Sequence, residues 1–196
     1  MAITADMVKT LRQTTGAGVM DCKKVLEQTG GDMEKASALL REKALAAAEK
    51  KAERKTAEGR VEAYIHPGSK LAVLVEVNCE TDFVARTEQF ITFCHDLAMQ
   101  VAASCPRWVS RDDVPAEVLE EERRNYRLQM ADQNKPEAVM QRIMEGKLAK
   151  FYEENCLLDQ PFIKDDSRKI QQLLTEKIAQ IGENIVIRRF ARFQIG

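Results

Sequence analysis

The segment Thr81-Asp82-Phe83-Val84 places a hydroxyl, a carboxylate and a large aromatic ring at consecutive positions. It follows an alternating apolar stretch typical of a β-strand, at a point where turn residues are expected. The pattern favours a structural interpretation, in which Phe83 folds back into the core and Asp82 caps or turns the chain. The alternative is a projecting wedge, in which the ring enters a pocket of another protein with the carboxylate beside it. The residues alone leave both interpretations open.

The rest of the sequence shows no spacing typical of a catalytic, metal or nucleotide site. Cys94 and His95 are neighbours on a predicted helix, where side chains one residue apart do not face each other. The glycines form neither a phosphate-binding loop nor a dinucleotide motif. The five cysteines are widely spaced and there are two histidines, which predicts free buried thiols rather than a zinc site. We therefore predict no catalytic residues, no metal and no cofactor, and nothing in these patterns supports an enzyme.

Composition and charge restrict the classes of partner. The chain has 30 Lys plus Arg and 31 Asp plus Glu, and this balance argues against direct binding of nucleic acid. Apolar residues make up 44% of the chain, and no apolar run approaches the roughly 20 residues that span a bilayer. The N-terminus lacks the basic and apolar segments of a secretory signal. These features predict a cytoplasmic protein that does not bind membranes.

The first 45 residues predict three short helices. Thr4 is placed to cap the first helix and Asp32 to cap the third, and glycines separate the three. Apolar residues recur at spacings of three and four within each helix. Because so few residues bury little surface, the pattern favours a docking module over a catalytic domain.

Residues 46–56 are rich in Ala, Glu and Lys and predict an exposed linker helix. A basic patch that binds nucleic acid is the alternative. Glu49 and Glu53 are interleaved with the basic residues, and no aromatic residue accompanies them, so the solvated helix is favoured.

Residues from 57 onward mix strand and helix patterns. Alternating residues at 60–65 and 71–78 flank the turn Pro67-Gly68-Ser69 and predict a β-hairpin, whose second strand is apolar on both faces and belongs in mid-sheet. Several helices follow, and Asp166 is placed to cap the last one. Residues 184–193 predict a long final strand with apolar side chains on both faces, which is typical of a strand between two layers or at an interface.

Three long motifs occur in order along the chain: LRQTTGAGVMDCKKVL at residues 11–26, VEVNCETDFVA at 75–85 and IGENIVIRR at 181–189. Together they resemble the signatures of the bacterial-type translation elongation factor Ts family. The length is similar to that of short-form members, which have one copy of the core subdomain. The resemblance implies an α+β fold, with a ubiquitin-associated-like three-helix domain at 1–45 and a linker helix at 46–56. Residues 57–196 would then form an α+β core with an antiparallel sheet and packed helices.

The resemblance also implies a function, that of a guanine nucleotide exchange factor for elongation factor Tu, the GTPase that delivers aminoacyl-tRNA. In the family, the segment matching Thr81, Asp82, Phe83 and Val84 disturbs the Mg²⁺ site of the GTPase. The aromatic residue matching Phe83 enters a pocket between G-domain helices, with the carboxylate matching Asp82 beside it. GDP release during translation elongation would follow from this contact, so the resemblance implies an exchange factor with no active site of its own rather than an enzyme.

The resemblance implies two further contacts. The N-terminal domain docks separately on the GTPase, which makes Arg12, Met20 and Lys23 candidate contact residues. Short-form members pair through the core, so a homodimer is expected, with the strand at 184–193 as a plausible seam. The rival interpretation is a non-catalytic adaptor whose helical domain binds a partner without promoting nucleotide exchange.

Overall fold

The computed structural model of the chain describes residues 3–130 and 136–196. Within these residues eight α-helices and five β-strands are mixed along the chain, which confirms the predicted α+β class. The chain divides into two compact units. The first unit contains the described residues up to Arg60, together with Val77–Thr92 and Gln171–Val186. The second contains the described residues of Val61–Glu76, Phe93–Ile170 and Ile187–Gly196.

Three helices begin the chain: α1 (Ala5–Thr15), α2 (Val19–Gln28) and α3 (Met33–Glu49). Both predicted caps are confirmed. The Thr4 hydroxyl accepts a hydrogen bond from the Met7 amide at 3.3 Å, and the Asp32 carboxylate accepts one from the Lys35 amide at 3.0 Å. This amide and the Lys35 ammonium lower the pKa of Asp32. The three helices enclose a common core of Leu11, Cys22, Val25, Leu26, Ala36 and Leu40.

The predicted linker helix at 46–56 is wrong as a separate element. Helix α3 continues without a break to Glu49, and turns follow it before the first strand. The Ala-rich sequence around residue 45 has high helix propensity and no residue that would end a helix, so α3 extends through it. The division of the chain at 45 and 57 stays a prediction.

The larger sheet contains β1 (Glu58–Ile65), β2 (Leu71–Cys79) and β5 (Ile185–Gln194), in the order β1-β2-β5. The predicted hairpin is confirmed, because the His66 amide at its turn donates to the Leu71 carbonyl at 2.9 Å. The central position of β2 is confirmed as well. Every second residue of β2 is buried: Val73, Val75, Val77 and Cys79.

One face of this sheet, within the second unit, exposes apolar side chains. Val61 and Ile65 of β1 are exposed, whereas Glu62 between them is half-buried and lies 3.2 Å from the His95 ring. In β5, Arg189 is paired with Glu76 of β2 at 2.7 Å, which places it on the solvent side of the sheet. Side chains alternate along a strand, so Phe193 emerges on that same side. We name the set Val61, Ile65, Leu74 and Phe193 the exposed sheet face.

The remaining helices are α4 (Asp82–Ala85), α5 (Glu88–Ser104), α6 (Ala116–Met130), α7 (Glu137–Asn155) and α8 (Ile170–Ile181). Within the second unit, Val114, Phe151 and Cys156 form a small core with Trp108. Gln100, which is fully buried, bonds to Gln160 at 3.2 Å. In the described part of the chain, none of the helices has the length and apolarity to cross a membrane.

The prediction that Asp166 caps the last helix is wrong. Residues Asp165–Lys169 form strand β4, which pairs antiparallel with β3 (Pro161–Phe162), and α8 begins only at Ile170. The Ile170 amide instead donates to the Gln160 carbonyl at 3.0 Å. A polar stretch before an apolar helix suits a hairpin as well as a cap, and backbone pairing to Pro161 and Phe162 decides between them.

Candidate partner-binding site

The segment Thr81–Val84 contains most of a one-turn helix, α4. Thr81 has an extended backbone, and its hydroxyl accepts a hydrogen bond from the Val84 amide at 3.4 Å. The cap is therefore Thr81, and the interpretation that Asp82 caps the chain is wrong. Asp82 is the first residue of α4, and its carboxylate pairs with Arg86 at 2.8 Å.

Phe83 is 80% exposed, so the interpretation that it folds back into the core is wrong. Each helical residue turns the side chain by about 100°, so residues two apart point in nearly opposite directions. Ala85 is buried, and this fixes the inner side of α4. Phe83, two residues earlier, must then point outward. The ring projects from a turn whose other side is anchored in the protein.

The backbone before α4 is held by a carboxylate from the C-terminal part of the chain. One oxygen of Glu183 accepts hydrogen bonds from the amides of Glu80 and Thr81, at 3.0 and 3.1 Å. Its other oxygen accepts from the Thr81 hydroxyl at 2.6 Å. In return, the Glu80 carboxylate accepts a hydrogen bond from the backbone amide of Asn184 at 2.6 Å. We name these four residues, Glu80, Thr81, Glu183 and Asn184, the reciprocal joint.

The reciprocal joint is tied to the chain that follows α3. Asn184 is buried, and its side-chain amide donates to the carbonyls of Ala52 and Arg54 at 3.2 and 2.9 Å. The Arg54 guanidinium also lies 3.5 Å from the Glu80 carboxylate. The residues leading from the N-terminal helices are thus fastened to the base of the projecting segment.

Cys79 lies directly before the joint and carries no reactive thiolate. Its thiol is buried and contacts the Thr81 carbonyl at 3.2 Å. Burial, followed by the negative charge of Glu183, raises the pKa of Cys79 to about 11. The group is therefore neutral near pH 7. None of the five cysteines forms a disulfide, but Cys105 is exposed, so the prediction of buried thiols is wrong at that one position.

The N-terminal candidates lie on the outer surface of α1 and α2. Arg12 and Lys23 both line a groove of about 420 Å³, together with Val8 and Val19. Met20 follows Val19 and is 74% exposed. The structure therefore places three cations, of which Lys9 is the third, around an apolar groove, and the next residue of α2 carries an exposed, flexible apolar side chain. This combination is suited to the surface of a partner helix that carries acidic and apolar residues.

Two side chains that organise this unit were not singled out by the sequence pattern. The Gln180 side chain donates to the Thr15 carbonyl at 3.2 Å and accepts from Gln89 at 2.9 Å, so it bridges three helices. Glu183 holds the segment before Phe83. The available signal for Glu183 was a charged residue two positions before the apolar run at 185–187, but its partners are distant in sequence.

Comparison with known proteins supplies the family. The sequence model described as "Elongation factor TS" matches residues 3–196. The chain belongs to the elongation factor Ts family. Elongation factor Ts of Anaeromyxobacter sp. (strain Fw109-5) is 58% identical over 194 residues, which cover 99% of this chain and 89% of that protein. Elongation factor Ts of Thermodesulfovibrio yellowstonii is 57% identical over 196 residues, or 100% of this chain and 98% of that protein.

Membership of the elongation factor Ts family makes this chain a translation elongation factor. The match includes the projecting segment, the N-terminal groove and the reciprocal joint, because it extends over all but the first two residues. The features described above can therefore be considered as parts of one translation factor.

Proposed function

We propose that this chain is a guanine nucleotide exchange factor for elongation factor Tu and acts in the cytoplasm. The observation that carries the proposal is the solvent-exposed Phe83 ring on an anchored helical turn. An aromatic ring exposed on an anchored turn offers a large apolar area that a partner can bury. Asp82 beside it places a carboxylate at the same contact, where it would act near the Mg²⁺ and phosphate site of the GTPase.

The exchange mechanism requires no active site in this chain. GDP is held on a GTPase by backbone donors, a lysine and a Mg²⁺ ion that bridges phosphate oxygens. Binding of the factor promotes release when it favours the metal-free, nucleotide-free conformation over the GDP-bound one. By reciprocity, GDP weakens the factor's binding by the same ratio that the factor weakens GDP binding. The residues Thr81 to Val84 would supply this preference.

The wedge alone is too weak to expel a nucleotide. Burial of a phenylalanine ring contributes about 1.5–3 kcal/mol, which helps to hold a shifted helix of the partner. A separate docking surface must supply the rest of the binding energy. The groove that Arg12 and Lys23 line, together with the exposed Met20 that follows Val19, is the surface we propose for this role.

The test of the proposal is GDP release. Elongation factor Tu loaded with a fluorescent GDP analogue is mixed with the wild-type chain, and release should be accelerated. Phe83→Ala should raise the half-saturating concentration roughly 10- to 100-fold, which is the loss of affinity expected when the partner no longer buries a phenylalanine ring. Its unfolding free energy should be unchanged, because the side chain makes little contact with its own protein.

Leu128→Ala is the matched control, since Leu128 is 68% exposed on α6. That variant should exchange GDP as the wild type does. An unchanged half-saturating concentration with Phe83→Ala would exclude the wedge role. No acceleration by the wild-type chain would exclude exchange activity and favour the adaptor interpretation.

The docking role of the N-terminal groove is tested separately. Met20→Ala should raise the half-saturating concentration several-fold without lowering the maximal release rate, since it removes contact area that is not specific to the metal-free state. Leu45→Ala, a second exposed apolar residue of the N-terminal helices, is the control. Equal effects of the two variants would contradict a specific contact at Met20.

We further propose that the chain forms a homodimer through its core. The exposed sheet face supports this proposal, because it presents apolar side chains from three adjacent strands. Strand β5, the predicted seam, contributes Phe193 to it. A second copy would bury this surface in a symmetric contact.

A further inference from the structure

The reciprocal joint determines the direction in which the Thr81 hydroxyl donates its one hydrogen atom. An ionised carboxylate only accepts hydrogen bonds, so at 2.6 Å from Glu183 the hydroxyl must be the donor. Its lone pairs are then left to accept from the Val84 amide and cap α4. Glu183 therefore sets the direction of the very hydroxyl that begins the helical turn bearing Phe83.

The same carboxylate fixes the backbone on which that turn is built. The Glu80 and Thr81 amides both point at one Glu183 oxygen. Hydrogen bonds to a charged acceptor are about twice as strong as those between neutral groups. Without the carboxylate, two amides and a hydroxyl would lose their partner together, and the segment would sample other conformations.

We propose that Glu183 is a positioning residue for the partner-binding segment: it selects the conformation of residues 80–84 that presents Phe83 to the GTPase. Glu183 acts through Thr81 and does not itself contact the partner. The inference rests on the proposed exchange function, and it adds a residue distant in sequence from the wedge. The free chain would spend less time in the binding-competent conformation if Glu183 were lost.

The consequence for exchange kinetics is specific. When only a fraction of the molecules is competent, the apparent dissociation constant rises by the inverse of that fraction. Once the GTPase has selected the competent conformation, the same Phe83 and Asp82 are in place. Glu183→Ala should thus raise the half-saturating concentration at least tenfold and leave the maximal GDP-release rate within twofold of the wild type.

The second readout needs no partner. In the free chain, the amide protons of Glu80 and Thr81 should exchange with solvent at least tenfold faster in Glu183→Ala than in the wild type, as measured by NMR. Glu183→Gln retains an oxygen for the two amides but loses the charge. It should therefore show intermediate protection and an increase of about threefold in the half-saturating concentration.

Two controls separate positioning from general effects. Glu34→Ala removes an exposed carboxylate of the same unit, and Thr175→Ala removes a buried hydroxyl that donates to the Gln171 carbonyl within α8. Neither should alter amide exchange at residues 80 and 81. A Thr175→Ala variant that reproduces both effects would assign them to lost stability and overturn the proposal.

Other outcomes are equally decisive. Unchanged amide exchange and unchanged half-saturation in Glu183→Ala would overturn the proposal, as would a fall in maximal rate alone. If Glu183→Ala does not fold, the same two readouts on Glu183→Gln decide. If the wild-type chain fails to accelerate GDP release, the proposed function fails, while the amide measurement on the free chain still tests whether Glu183 holds the segment.

Discussion

The outward direction of the Phe83 ring is determined by the burial of another residue, Ala85. A small buried residue two positions after an aromatic one forces the ring outward on a helical turn. The sequence pattern included both residues, but whether the segment was helical or extended was not evident from four residues. The pattern favoured a buried Phe83 ring, and the ring is exposed because the segment is helical.

The buried thiols predict a dependence of stability on alkaline pH. Burial raises the pKa of Cys79 and of Cys156 from an ordinary value of 9.0 to about 11. Between these values the unfolded chain loses protons that the folded chain retains, so stability falls as the pH rises from about 9 to 11. Below pH 9 both states are protonated, and this contribution is fully present.

Urea unfolding at pH 8, 9.5 and 10.5 measures this effect. Cys79→Ala should reduce the steepness of the fall in unfolding free energy, whatever its stability at pH 8. Cys105→Ala, at the exposed cysteine, should keep the wild-type slope. Identical slopes in all three proteins would show that the buried Cys79 thiol does not contribute.

At the scale of elements, the regular features follow from the sequence and the junctions do not. Helix caps at Thr4 and Asp32, the hairpin and the final strand depend on residues close together in the chain, and each is confirmed. The end of α3 and the strand at Asp165–Lys169 depend on what the backbone pairs with elsewhere. Local patterns contain no information about such distant partners.

Two glycines in different elements should respond oppositely to substitution by alanine. Gly59 in β1 has a φ of 154°, and a Cβ there would overlap the Val77 carbonyl and lie 2.7 Å from the Asn78 Cα. Gly59→Ala should therefore lower the unfolding free energy by several kcal/mol, on the order of a strained core substitution. Gly146 lies inside α7 with open space around it, and Gly146→Ala should raise stability by about 0.5–1 kcal/mol.

Chemical unfolding of both variants and the wild type provides the measurement. The contrast matters more than either value, because each variant adds the same methyl group. A Gly59→Ala variant as stable as Gly146→Ala would mean that β1 can move away from β2 at no energetic cost.

On the scale of the whole molecule, the exposed sheet face is the feature that the fold leaves unexplained. The alternation of β1 was evident in the sequence, but which set of side chains faced outward was not. Glu62 and Tyr64 turn toward His95, with the Tyr64 and His95 rings 5.9 Å apart, and Val61 and Ile65 are left exposed. A strand whose apolar side chains face solvent while its polar side chains face the protein is typical of surfaces that a partner covers.

The proposed homodimer predicts the mass in solution. Light scattering should give twice the chain mass of 22.2 kDa. A charge at Ile65, as in Ile65→Lys, should shift the protein to monomer at micromolar concentration, because a lysine would be buried against apolar side chains. Leu128→Lys introduces the same charge on α6 and should keep the mass of the wild type. A wild-type mass that stays at one chain at every concentration would overturn the dimer.

The bonds between residue 81 and residue 183 also mean that the proposed wedge can be oriented only late in the synthesis of the chain. Thr81 emerges from the ribosome 102 positions ahead of the carboxylate that orients it. At about 5–20 residues per second, this delay is on the order of 5–20 seconds. A nascent chain that stalls before Glu183 therefore carries the complete sequence of the proposed wedge without the carboxylate that orients it, and on our proposal it would bind the GTPase more weakly than finished molecules do.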